Sequence, residues 1–264
     1  MAAVLFLVVS PASLAGAWMR SGGEYSYTTG MGYVTHSRYF DSNSRPRPAP
    51  CTTRDAYFDQ YLEYGYSYYH TIFAGLHTTR RSCGGDRRLD GGDLELGIRG
   101  RLNLFRNGRT WEAALLLPSG EGASGPSRPG VEHYGLELGL HGRFAAGGPF
   151  HAHRYFSTGA EVRLWEGVPS EHFLTYMEYS WPAGSLDLQA GLHGNFSLRN
   201  GADGIGWGSE SPVDDYDRIR VRASLGQPLG GEWSVDYKVV RVVWGRNMDA
   251  STEVGISFGR TWME

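Results

Sequence analysis

Lysine is nearly missing from this chain: Lys238 is the single one among 25 basic residues, set against 28 acidic ones for a formal charge of -3. That balance excludes a strongly basic nucleic-acid surface, and no nucleic-acid partner is expected. No segment beyond the N-terminus offers 18 consecutive apolar residues, so no spanning helix is predicted; such a helix needs about 20. Cysteine is limited to Cys51 and Cys83, with no CxxC or Cys/His spacing of a metal site. Past Trp18, no stretch carries a convincing 3.6-residue apolar period.

Glycine and rings are plentiful instead. The chain holds 38 Gly and 13 % aromatic residues, yet it is not apolar on average. Aromatics suit pleated surfaces and glycine marks bends and bulges, so the composition is that of a β-rich protein.

The opening "MAAVLFLVVSPASLAGA" reads as the apolar region of a secretory signal, with Ala15-Gly16-Ala17 as the cleavage site before Trp18. The expected division is therefore a signal peptide over 1–17 and one domain over 18–264. An exported chain meets an oxidising compartment, where Cys51 and Cys83 can close a disulfide.

A two-residue rhythm recurs along the chain. In "GGDLELGIRGRL" (91–102), Asp93, Glu95, Arg99 and Arg101 alternate with Leu94, Leu96 and Ile98. "YGLELGLHGRF" (134–144) sets Glu137, His141 and Arg143 against Leu136, Leu138 and Leu140. "YDRIRVRASLG" (216–226) sets Arg218, Arg220 and Arg222 against Ile219, Val221 and Ala223. The same pattern places Glu161, Arg163, Asp187, Asp236, Lys238 and Glu253 on polar strand faces, with Glu63 and Glu112 beside them. About twelve strands result, most of nine residues or more, where a tilted membrane strand needs about 9–11. Tight connections such as "RNGR", "PAG" and "QPLGG" alternate with longer polar ones at 41–54, 81–92, 119–131 and 199–213.

Long strands, sorted connections and export together predict a transmembrane antiparallel up-and-down barrel, since a closed barrel pairs every backbone group inside lipid. The leucine face meets acyl chains and the charged face lines the lumen. The expected lumen-lining set is Glu95, Arg99, Arg101, Glu137, His141, Arg143, Glu161, Arg163, Asp187, Arg218, Arg220, Arg222, Asp236, Lys238 and Glu253. Tyr57, Tyr61, Tyr64, Tyr66, Tyr68, Tyr69, Trp111, Trp165, Trp181, Trp233, Trp244 and Trp262 are expected in girdles at the headgroup level.

The order "GDLELGIRGRL", tight turn, "WEAALLLPSG", polar loop, "YGLELGLHGRF", with "GYSYY" and "YFDSN", resembles the outer-membrane proteins named for the MetA pathway of phenol degradation. The resemblance covers about residues 23–260. It implies an outer-membrane barrel acting as a channel or transporter, and it brings no catalytic residues. The expected partners are the outer-membrane bilayer, the barrel-assembly machinery and a small solute, with no cofactor.

The sequence offers three chemical alternatives. His193, Asn195 and Ser197 share a strand face, as a lipid-modifying serine hydrolase would require, but alternate strand positions lie about 6–7 Å apart. That exceeds the contact a base makes with a nucleophile, about 2.6–3.2 Å. His151 and His153 offer two metal ligands without an evident third. Asp203, Asp214, Asp215 and Asp217 sit in a glycine-rich loop without the spacing of a calcium loop. The reading that follows is passive passage of small solutes, hydrophobic ones among them. The rivals are a plugged structural or surface-interaction barrel and an outer-membrane lipid-modifying enzyme.

Overall fold

The computed structural model describes residues 19–83, 86–90, 94–102, 108–117, 134–145, 154–165, 171–198 and 216–264. Their regular elements are all strands: β1 (Glu24–Phe40), β2 (Pro46–Ser67), β3 (His70–Cys83), β4 (Asp86–Asp90), β5 (Leu94–Arg101), β6 (Arg109–Leu117) and β7 (Gly135–Ala145), then β8 (Tyr155–Trp165), β9 (His172–Ala183), β10 (Leu186–Ser197), β11 (Asp217–Gly230), β12 (Trp233–Arg246), β13 (Met248–Asp249) and β14 (Thr252–Met263). β4 and β13 are short flaps on β3 and β1. The other twelve form the wall, each antiparallel to its sequence neighbour, and β1 pairs with both β2 and β14. The sheet thus closes on itself and leaves the wall without an edge strand.

The sides of this wall are inverted relative to a water-soluble protein. Leu140 is 59 % exposed on the outside, in company with Met31, Leu62, Leu115, Leu138, Met177, Val239 and Val254. Arg99, by contrast, is wholly buried, as are Glu63, Glu112, Glu137, His141 and Glu178. Each strand's period-two pattern puts one set on each side of the pleat. An apolar exterior around a charged interior is stable only where the exterior meets lipid. The protein is a transmembrane β-barrel.

One end of the cylinder carries tight turns and both ends of the described wall, at Gly23 and Glu264. The Glu264 N–H donates to the Gly23 carbonyl at 3.1 Å. Gly184 (φ 68°) and Gly231 (φ 59°) each open a two-residue turn that needs a left-handed residue first, which glycine supplies without steric cost. At the other end the connections differ from expectation. The 41–54 segment is mostly strand: β1 and β2 remain paired up to Phe40 and Pro46, and the turn shrinks to residues 41–45. Pro46 and Pro48 fit because they oppose Phe40 and Arg38, whereas the hydrogen-bonded positions fall to Tyr39–Arg47 and Asp41–Arg45.

Asp41 holds this outer turn. Its carboxylate accepts N–H bonds from Arg45 (2.8 Å) and Asn43 (3.0 Å) and pairs with the Arg47 guanidinium at 3.0 Å. The Arg45 bond above all keeps its carboxyl below the usual carboxylate range. Part of the expected 81–92 loop is strand as well, since β3 runs to Cys83 and β4 folds back on it. Cys51 and Cys83 are joined as a disulfide across this extension, Cα–Cα 5.8 Å. With 17 and 22 residues, β1 and β2 exceed what a bilayer requires, so their outer parts stand clear of it. The residues of the expected signal peptide lie outside those described.

Candidate functional site

The inward faces of the twelve wall strands converge on one space, and the candidate site is built from their side chains. β5 and β6 contribute a directly opposed pair, Arg99 and Glu112. The Arg99 Nε donates to Glu112 Oε2 at 2.7 Å, and its Nη1 reaches Glu63 on β2 at 3.0 Å. A buried guanidinium loses several kcal/mol of hydration unless fully bonded, and this fork meets two carboxylates and the face of Phe73. The chain ahead of β1 enters the same space. The Arg20 Nε donates to Glu63 Oε2 at 2.6 Å, and its backbone N–H donates to Thr71 Oγ1 at 2.9 Å. Residues 20–21 therefore lie against the inside of β2 and β3.

β7 and β8 repeat the motif. Glu137 opposes Arg163 and accepts its Nε at 2.7 Å. His141, two strand repeats along, places Nδ1 3.1 Å from the Tyr176 hydroxyl on β9 and 3.8 Å from Glu161. Beyond Tyr176, Glu178 accepts from His193 on β10 at 2.9 Å and lies 4.0 Å from Arg222 on β11. Arg222 in turn faces Asp236 on β12 at 3.8 Å. Lys238 meets Glu253 on β14 at 2.9 Å, and Tyr57 on β2 donates to the same Glu253 oxygen at 2.7 Å. Polar contacts thus run almost completely round the inner circumference.

Glycine makes room for the rings in this belt. A Cβ on Gly32 would overlap the Tyr57 ring, one on Gly97 the Phe73 ring, and one on Gly159 the Tyr176 ring. The rings therefore lie flat on the wall and do not project to the axis. At the outer end the interior turns apolar, where Phe40, Tyr216, Val242 and Met248 pack together with Ala250.

Of the residues expected to line the lumen, Arg99, Glu137 and His141 are buried, and Glu161, Arg163, Arg222, Asp236, Lys238 and Glu253 take part in the contacts above. Arg101 and Arg143 lie toward the end with the tight turns, stacked on Tyr68 (4.1 Å) and Tyr155 (3.3 Å). Arg218 lies over Tyr216 at 5.5 Å, and Asp187, Arg218 and Arg220 share the β10–β11 face with Arg222. Tyr57 and Tyr61 are a correction. Expected in a headgroup girdle, they point inward, because they share strand parity with Glu63; Tyr57 is 8 % exposed. Tyr66, Tyr68, Tyr69, Trp233 and Trp244 are exposed as a girdle requires. The Trp165 side chain lies outside the described residues.

The hydrolase constellation does not assemble. His193 is bound to Glu178, Asn195 Nδ2 donates to Tyr216 at 3.1 Å, and the Ser197 N–H donates to Asp217 at 2.9 Å. Asp217 also pairs with Arg246 at 2.9 Å. His151, His153, Asp203, Asp214 and Asp215 lie outside the described residues. Sequence reasoning missed Arg20, Tyr176 and Glu178, which no local signal marks.

Neither a family model nor a curated protein sequence matches the chain. Solved structures do. The COG4313 outer membrane channel from Pseudomonas putida F1 superposes with a TM-score of 0.74 over 95% of this chain and 99% of its own, at 11% identity. The CymD monoaromatic hydrocarbon channel gives 0.53 at 9% identity, covering 93% and 90% of the two chains. The NanC porin gives 0.51 at 9% identity, covering 90% and 99%. At these identities the likeness establishes the fold alone, a closed antiparallel β-barrel.

Proposed function

We propose that the protein is a passive outer-membrane channel for small solutes, hydrophobic ones among them, related to the MetA-pathway outer-membrane proteins and exported by a signal peptide over 1–17. The observation that carries the proposal is the belt of charge inside the barrel. A closed wall needs no buried ions to stand, and replacing such pairs with apolar side chains is often neutral or stabilising. Glu161, Arg163, Lys238 and Glu253 are only partly covered, so water or a polar solute in the lumen reaches this part of the belt. Twelve strands enclose less than the 16–18 of general porins, which limits passage to small molecules. The apolar cluster at the outer mouth suits the hydrophobic end of that range, and CymD, a monoaromatic hydrocarbon channel, shares the fold.

One observation favours the plugged reading at a single level. Arg99 and Thr71 are wholly inaccessible, with Arg20 laid across Glu63 and Thr71. Planar-bilayer recording on refolded protein decides between the two. A channel gives stepwise conductance and admits small solutes to liposomes. A plugged barrel shows neither while keeping heat-modifiable gel migration, and that result would falsify the channel proposal.

A further inference from the structure

We propose that the lumen holds a binding site for one divalent first-row metal ion, formed by Glu95 on β5, Glu112 on β6, and Glu137 and His141 on β7. One carboxylate oxygen from each glutamate lies within 4.8 Å of the others, and Glu112 and Glu137 are buried. Acidic clusters are common, so the argument turns on the histidine. The His141 side chain is 0% exposed, and its Nε2 is buried without a hydrogen-bond partner. That nitrogen stands 3.9 Å from Glu112 Oε2. The gap is too long for a hydrogen bond. Two ligand atoms held about 2.0–2.2 Å from one ion at a wide angle stand this far apart, with the imidazole placed beside Glu112 and outside the 4.8 Å carboxylate trio.

The surroundings agree. The His141 Nδ1 lies 3.1 Å from the Tyr176 hydroxyl. With the proton on Nδ1 donated to Tyr176, the Nε2 lone pair is turned toward the carboxylates, which is how an outer partner orients a ligating imidazole. Arg99 holds Glu112 and Arg163 holds Glu137, each steadying one ligand. Charge points the same way. Glu95, Glu112, Glu137 and nearby Glu161 outnumber Arg99 and Arg163, and Glu95 has no ion-pair partner among the described residues. A dication removes that excess. Three carboxylates and one imidazole suit Mn²⁺, Fe²⁺ or Zn²⁺ better than Ca²⁺, which takes oxygen ligands, or Cu⁺, which prefers sulfur.

The sequence accounts for the layout. "LELG" occurs at 94–97 and again at 136–139, on the two strands that flank β6, and so sets Glu95 and Glu137 on either side of Glu112.

The test uses refolded, chelator-treated full barrel, titrated with Mn²⁺ and followed by paramagnetic resonance, with Zn²⁺ titrated calorimetrically. Wild type should take up one equivalent. Glu95→Gln and His141→Gln should each weaken binding at least tenfold, and Asp41→Asn in the outer turn should leave it unchanged. Heat-modifiable migration confirms that each variant is folded; Glu95, held by no cation, is the gentler change. Folded wild type that shows no saturable uptake, or glutamine variants that bind as wild type does, overturns the site. Binding is read without transport, so the site and the channel can fail independently.

Discussion

Tyr57 on β2 reaches across β1 and donates its hydroxyl to Glu253 on β14 at 2.7 Å, joining strands 196 residues apart in sequence. The ring passes directly over Gly32, where a Cβ would overlap it. Gly32→Val should therefore expel the ring and break the Glu253 contact, while Tyr57→Phe removes the hydrogen bond alone. The glycine variant should lose more stability than the phenylalanine variant, whose cost is about 1–2 kcal/mol. Urea unfolding in detergent micelles ranks them, and equal losses would show that the close approach is immaterial.

Arg99 answers two carboxylates from a fully buried position. Arg99→Ala leaves Glu63 and Glu112 without their shared cation, a change that costs about 3–5 kcal/mol for buried pairs. Arg99→Ala combined with Glu112→Gln should recover part of that loss, since one stranded charge is gone. A double-mutant cycle on unfolding free energy reads the coupling, and additive losses would remove Arg99 from its role.

The Cys51–Cys83 disulfide spans 32 residues. Chain entropy sets its contribution at roughly 3–4 kcal/mol. Because β2 and β3 are already paired over the same stretch, the measured loss in Cys51→Ser should fall below that figure. Ellman titration of the unfolded, unreduced chain should find no free thiol.

Leu140 stands on the outer face near the middle of β7. Leu140→Arg should cost about 2–4 kcal/mol, as charges on the lipid face of a barrel do near the bilayer centre. The same substitution at Ser257, on the inward face beside Asp236, should be milder. Folded yield in vesicles separates the cases, and a reversed order would turn the barrel inside out.

Much of this architecture was legible in advance, because alternation is local. "LELGIRGRL" and "LELGLHGRF" declare their own faces, and Glu95, Arg99, Glu137 and His141 fall where parity puts them. Tyr57 and Tyr61 face inward with Glu63, against the girdle that ring identity alone suggests, because strand parity decides the side. Prolines make the 46–54 stretch read as a loop, although Pro46 and Pro48, two residues apart, both avoid the hydrogen-bonded positions facing β1. Glu178 and Tyr176 lie in "HFLTYMEYSW", where large rings occupy both faces and blur the rhythm. Contacts such as Tyr57–Glu253 depend on which strands become neighbours after closure, and no window of sequence contains that information.

The seam between β1 and β14 sets a condition on biogenesis. Glu24 pairs with Met263, so one ladder joins the first and last strands of the wall. Until synthesis is complete, β1 has no partner on that side, and a nascent cylinder must be kept from sealing against a neighbour. The adjacency of the ends also has a practical use: joined by a short linker, they permit a permuted gene reopened at Gly184-Ser185, in which the former seam becomes an ordinary hairpin.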